Sequence, residues 1–141
     1  MFCGIHSGLS EASIVFQDDL VMVFMDIHPV NPGHLLVIPN EHASSIDDVP
    51  EDACARMFIV GRRMVRALRQ SGLRCEGVNL LLADGAAAGQ DVFHSHLHVI
   101  PRFQGNPGSV RMHADLSAAT SRQELDAYAE AIRSSLDAPG E

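Results

Sequence analysis

Lysine and tryptophan are absent from the 141 residues, tyrosine occurs once and cysteine three times. All ten basic residues are therefore arginines, which excludes a lysine Schiff base and the lysine of a phosphate-binding P-loop. Any anion bound here must be met by arginine, histidine or backbone N–H groups. Cys3, Cys54 and Cys75 form no C-x-x-C pair, so neither a disulfide framework nor a four-cysteine zinc site is expected. No apolar run approaches the ~20 residues of a bilayer span. The start MFCGIHSG lacks the basic segment and apolar block of a secretory signal. A cytoplasmic protein without a membrane partner is expected. A formal charge of -8 opposes a polynucleotide over most of the surface, while a small phosphorylated ligand at a local site is compatible with it.

What is present suits one domain over residues 1–141. The β-rich runs at 12–18 and 20–27, separated at Asp18 and Asp19, predict a hairpin, and residues 34–39 predict a third strand closed by Pro39. From Asp48 to Gln70 the period becomes helical. Cys54, Met57, Phe58, Gly61, Met64, Val65 and Leu68 mark the apolar stripe, and Asp48, Pro50 and Glu51 the N-terminal cap. Arg62, Arg63, Arg66 and Arg69 read as a solvated face. Strand character returns at 77–84, followed by the small-residue loop 84–91 and the run HSHLHVIPR from His94 to Arg102. Residues 104–119 read as irregular. Ser121 and Glu124 then open a last helix with Leu125, Tyr128, Ile132 and Leu136 on one face. The order predicts an α+β fold, with three strands before any helix.

His94, His96 and His98 stand at every second position, so on a strand they line one face. Their neighbours are ~6.6 Å apart and the outer pair ~13 Å apart at the usual strand rise. Zinc holds imidazole nitrogens at ~2.0 to 2.1 Å, so two could converge on one ion but three would strain the strand. Such a row suits a phosphate ester instead: one neutral imidazole can attack phosphorus while others donate hydrogen bonds. Backbone N–H groups around Gly89 and Gln90 offer a candidate anion-binding concavity. Ser95 interrupts the apolar side of the alternation.

The stretch GQDVFHSHLHVIPR closely resembles the signature of the histidine triad (HIT) superfamily, His-φ-His-φ-His-φ-φ with φ apolar. FMDIHPVNPGHLLVIPNEH and GVNLLLADGAAAGQ resemble other parts of that family, and the likeness spans about residues 2–104. The resemblance implies an antiparallel β-meander of about five strands, one long helix and a C-terminal helix. It implies a nucleotide-binding hydrolase of the Hint-like, phosphoramidase branch, acting at an α-phosphate through a nucleotidyl-histidine intermediate. By position in the signature His96 is the nucleophile. His98 serves the α-phosphate and leaving-group side, and His94 and His34 support the site. Gln90 falls near the phosphate, joined by the backbone of Asp91. Asp26 matches the ribose-binding acid, with Phe24, Ile27, Phe2 and Ile5 lining the base pocket. A purine nucleotide or nucleotide conjugate as ligand and a homodimer are further implications.

The sequence departs from the family pattern at Ser95, Ala83, Asp91 and His28. Cys3, His42 and His94 match three of four zinc-ligand positions of some bacterial relatives, but the other cysteine has no counterpart, so the expectation is that no cofactor is required. Other readings stay open: a dinucleoside polyphosphate hydrolase, a metal-dependent enzyme using a His-x-His pair, and a non-enzymatic nucleotide- or zinc-binding partner protein.

Overall fold

The structure is a computed structural model, described for residues 2–6, 11–106 and 120–136, with the side chains of Cys3 and His6 outside the description. Five antiparallel strands form one open sheet in the order β1-β2-β3-β5-β4. They are β1 (Ile14–Gln17), β2 (Val21–Met25), β3 (Leu35–Pro39), β4 (Gly77–Leu81) and β5 (Leu97–Arg102). The Asp18 carboxylate turns the β1–β2 hairpin by accepting the N–H groups of Leu20 and Val21 at 2.8 and 2.9 Å. Between β3 and β4 runs the long helix, labelled α2 (Glu51–Gln70), and α3 (Arg122–Leu136) follows the sheet.

A helix also precedes the sheet, contrary to expectation: α1 covers Phe2–His6. It is too short to show a period, and only the i, i+3 pair Phe2 and Ile5 hints at a shared face. The expected cap of α2 differs as well. Pro50 occupies the N-cap without a side-chain bond, while Asp48 ends a separate 3-10 turn, Ile46–Asp48, capped by Ser45. The α2 stripe is rotated from the expected one. Ala53, Met57, Val60, Gly61, Met64, Ala67 and Leu68 are buried, whereas Phe58 is 60% exposed. Helix α3, packing beside α2, accounts for this, because it covers a second side of the helix that the stripe alone does not reveal. Arg62, Arg63, Arg66 and Arg69 lie exposed along a cleft of about 630 Å³ that also touches Leu136.

The two faces of the sheet bury different clusters. Val21, Val23, Met25, Val37, Leu97 and Val99 pack against α2 and α3, where Gly61 admits Leu97 so closely that a Cβ would lie 3.1 Å from it. Met22, Phe24, Leu36 and Ile38 point the other way and join Phe2 and Ile5. Alternation along each strand produces this division.

Ser95 is 1% exposed and its Oγ has no hydrogen-bond partner, while its N–H donates to Ala43 O at 2.7 Å. An unmatched buried hydroxyl costs ~1–3 kcal/mol. Ser95→Ala keeps the backbone bond and removes the orphan, so a rise in stability of about 1 kcal/mol is expected in urea unfolding. A clear loss would show that the hydroxyl is satisfied.

Candidate active site

Placement of the histidines begins with β3. In the turn Asn31-Pro32-Gly33-His34 the N–H of His34 donates to Asn31 O at 3.1 Å, and Gly33 takes φ 100°, the left-handed value glycine permits. A Cβ there would lie 3.1 Å from Leu68 and 3.2 Å from Leu73. The chain can therefore pass close over the core and deliver His34 to the sheet face opposite α2. On β5, His98 stands between Leu36 and Leu81 on that same face.

His94 and His96 do not belong to the strand as expected. The β3–β5 ladder runs through Leu35–Val99, Leu36–His98 and Val37–Leu97 and then stops. Continued in register, Ser95 would face Pro39, which has no N–H to give. The freed groups find other partners: Pro39 O accepts from His94 Nε2 at 2.8 Å, and Ser95 N–H goes to Ala43 O. The first two histidines thus ride on a bent segment braced by residues 39–44.

All four imidazoles are buried, with exposures of 1% for His34, 2% for His94, 3% for His96 and 8% for His98. The His96 and His98 rings are 4.8 Å apart, and those of His34 and His98 5.2 Å. Burial, and secondarily the neighbouring His96, pushes His34 down to about 3. His98 is also pushed to about 3, by burial and then His34 and His96, against the opposing pull of Asp26 and Asp91. Burial likewise lowers His94. Near pH 7 the His34–His98 pair is therefore neutral, and each ring carries one proton whose position the hydrogen bonds report.

For His96 that position is plain. Its Nδ1 lies 2.8 Å from His94 O, which can only accept, so Nδ1 holds the proton and neutral His96 carries its lone pair on Nε2. Among the described residues no group bonds to that Nε2. Phe2 packs edge-on against this ring at 5.2 Å and against His94 at 5.8 Å, so α1 walls the row of histidines.

The side chain of Gln90 is engaged by the protein itself. Its Nε2 donates to Ser44 O at 2.8 Å and Val92 O at 3.1 Å, and its Oε1 accepts from Gly85 N–H at 2.7 Å. Both amide hydrogens are spent in holding the loop, leaving none for a phosphate. Nor do the loop N–H groups form the expected concavity: those of Ala88 and Gln90 donate to Gly85 O, and that of Gly89 to Ala86 O. Asp91 is exposed at the rim. Asp84, from the same loop, accepts the N–H of Ile46 at 2.9 Å, tying it to the brace beneath the histidines.

Among the residues expected to meet a nucleoside, Asp26 is partly exposed, accepts His28 N–H at 2.8 Å and lies 3.5 Å from His34 Nε2. Phe2, Ile5 and Phe24 are buried together, Phe2 and Phe24 edge to face at 5.3 Å, while Ile27 is 39% exposed. Of these residues the first three belong to the buried cluster, and Ile27 and Asp26 are the accessible ones. His42 and His94, two of the candidate zinc ligands, have rings 5.1 Å apart; the side chain of Cys3 lies outside the described residues. The residues missed by sequence reasoning act through their backbone: Val30, whose N–H donates to His34 Nδ1 at 3.0 Å, Ala43 and Ser44 leave no side-chain signal, and Pro39 alone could have been read.

Comparison with known proteins agrees with this arrangement. The HIT domain profile matches residues 8–105. An uncharacterized HIT-like protein of Methanocaldococcus jannaschii is 37% identical over 106 residues, 75% of this chain and 81% of the relative. The adenylylsulfatase HINT3 of Arabidopsis thaliana is 33% identical over 106 residues, 72% of this chain and 51% of the relative. A zinc-bound histidine triad family protein from Mycobacterium smegmatis superposes with a TM-score of 0.81 at 38% identity, covering 96% of this chain and 91% of that one. The order of strands, the site they carry and these matches make the chain a member of the HIT family.

Proposed function

We propose that this chain is a hydrolase acting at the α-phosphate of a nucleoside phosphoramidate or related nucleotide conjugate, through a nucleotidyl intermediate on His96. The observation that carries the reading is the bare Nε2 lone pair of His96 beside the neutral ring of His98. In the first step Nε2 forms a bond to phosphorus, the bond to the leaving group breaks, and its electron pair departs with that group. A phosphate or sulfate leaves as its anion; an amine takes up one proton from solvent. Water then attacks phosphorus, the phosphorus–nitrogen bond breaks and its pair returns to Nε2; the proton lost by water replaces the one taken up by an amine, or passes to solvent when the leaving group departed as its anion. His94 O holds the Nδ1 proton throughout and supports the positive charge that develops on the ring.

In this reading Asp26 accepts the ribose hydroxyls and Ile27 meets the base. A purine nucleotide conjugate as ligand, function as a homodimer, cytoplasmic location and no required cofactor complete the reading. The Arabidopsis relative's name adds adenylylsulfate to the conjugates worth testing. Rapid quench during turnover of an adenosine phosphoramidate, followed by intact mass measurement, tests it. A protein carrying one added nucleotidyl group supports the mechanism. Binding with neither turnover nor adduct would make the chain a nucleotide-binding protein, and turnover without adduct would point to direct attack by water.

A further inference from the structure

We infer that the backbone N–H of Val30, acting through His34, fixes His98 in the tautomer that presents an N–H, and never a lone pair, to the phosphate and leaving group. The inference rests on the reading of the site proposed above and gives His34 the part of a positioning residue.

The argument is one of hydrogen-bond polarity. Val30 N–H can only donate, and it points at His34 Nδ1 from 3.0 Å. That nitrogen must accept, so the single proton of neutral His34 sits on Nε2. Nε2 lies 2.9 Å from His98 Nδ1. Since His34 donates there, His98 Nδ1 accepts and the proton of His98 is driven to its own Nε2. The reverse polarity, with His98 Nδ1–H donating, would require a proton on His34 Nδ1, set head-on against Val30 N–H. His34 is 1% exposed, so no bulk water can relieve that clash. The Asp26 carboxylate, 3.5 Å from His34 Nε2, favours the same placement of the proton.

The two central histidines are thereby oppositely polarised. His94 O makes neutral His96 a lone-pair donor at Nε2, and the Val30–His34 chain makes His98 a hydrogen-bond donor at Nε2. One ring attacks, and the other meets the negative charge that builds on the departing atom; a lone pair at that place would repel it. The same polarity bears on a metal. Asp26, His34 and His98 bring three ligand atoms within 4.8 Å of one another, but a His34 with hydrogen on Nε2 has no lone pair there for an ion.

Nitrogen-15 NMR of the histidine-labelled wild-type protein reads the tautomers directly. His98 protonated on Nε2 is expected, and His98 protonated on Nδ1 would overturn the inference. Kinetics supply a second test. His34→Leu removes the donor, whereas the carboxamide of His34→Gln can accept from Val30 and donate to His98. The leucine variant should lose about tenfold to a hundredfold in kcat on an adenosine phosphoramidate with an alkylamine leaving group. It should lose far less on a nitrophenyl ester, whose leaving group stabilises its own charge, and the glutamine variant should recover most of the difference. Equal loss for both substrates, or no rescue, would reduce His34 to packing. If the leucine variant fails to fold, the wild-type spectrum still decides. Absence of wild-type turnover on any conjugate would remove the proposed activity and leave the NMR test of the tautomer standing.

Discussion

His96→Ala is expected to abolish turnover, by at least about 10³–10⁴-fold in kcat, while nucleotide binding remains measurable by calorimetry. The two effects separate because different groups carry them. In the proposed mechanism the Nε2 of His96, whose Nδ1 is held by His94 O, makes the bond to phosphorus, whereas the partly exposed Asp26 and Ile27 are the groups assigned to the nucleoside. Each neighbouring histidine already has a ring nitrogen engaged elsewhere. His94 Nε2 is engaged with Pro39 O, and His98 Nδ1 faces His34. The variant should also yield no nucleotidyl adduct in the quench experiment. A near-normal rate in His96→Ala would remove the nucleophile assignment, and loss of binding in parallel with rate would place His96 in ground-state recognition.

The second large effect is on stability as pH falls. His34 and His98 are held at about 3 in the folded protein, burial being the main cause for each, against ~6.5 in an unfolded chain. Between those values the unfolded chain binds the two protons and the folded protein does not, so acid favours unfolding. The contribution is fully present above pH ~6.5 and declines progressively down to pH ~3. Each histidine contributes a slope of up to ~1.4 kcal/mol per pH unit in the middle of that window. Urea unfolding at pH 7.5, 6 and 5 should therefore show a midpoint that falls steeply below neutrality. His98→Asn should flatten that fall, because it removes one of the two buried bases. A midpoint unchanged between pH 7.5 and 5 would mean that these rings take up protons in the folded state.

Periodicity and turn residues made most of the architecture legible in the sequence, because strands of alternating character and a 20-residue amphipathic helix are local patterns. The triad was legible by spacing and resemblance together. What escaped were features decided by a distant partner. Phe58 looked apolar enough for the core and is exposed, since the orientation of α2 answers to α3 as well as to the sheet. Gln90 sits where a phosphate ligand is expected and is occupied by Ser44, 46 residues away in sequence. The chain Val30–His34–His98 could not be read at all, because its first member contributes only a backbone N–H.

Where β5 begins divides the two central histidines. His98 has a hydrogen-bonded strand on either side of it, whereas the segment of His96 lies ahead of the ladder, opposite a proline that cannot extend it. A nucleophile must travel a fraction of an ångström toward phosphorus and back in every cycle, while a hydrogen-bond donor serves best by keeping its place. In the proposed mechanism the end of the β3–β5 ladder before Pro39 thus separates the two roles, the donor His98 standing inside the sheet and the nucleophile His96 just outside it.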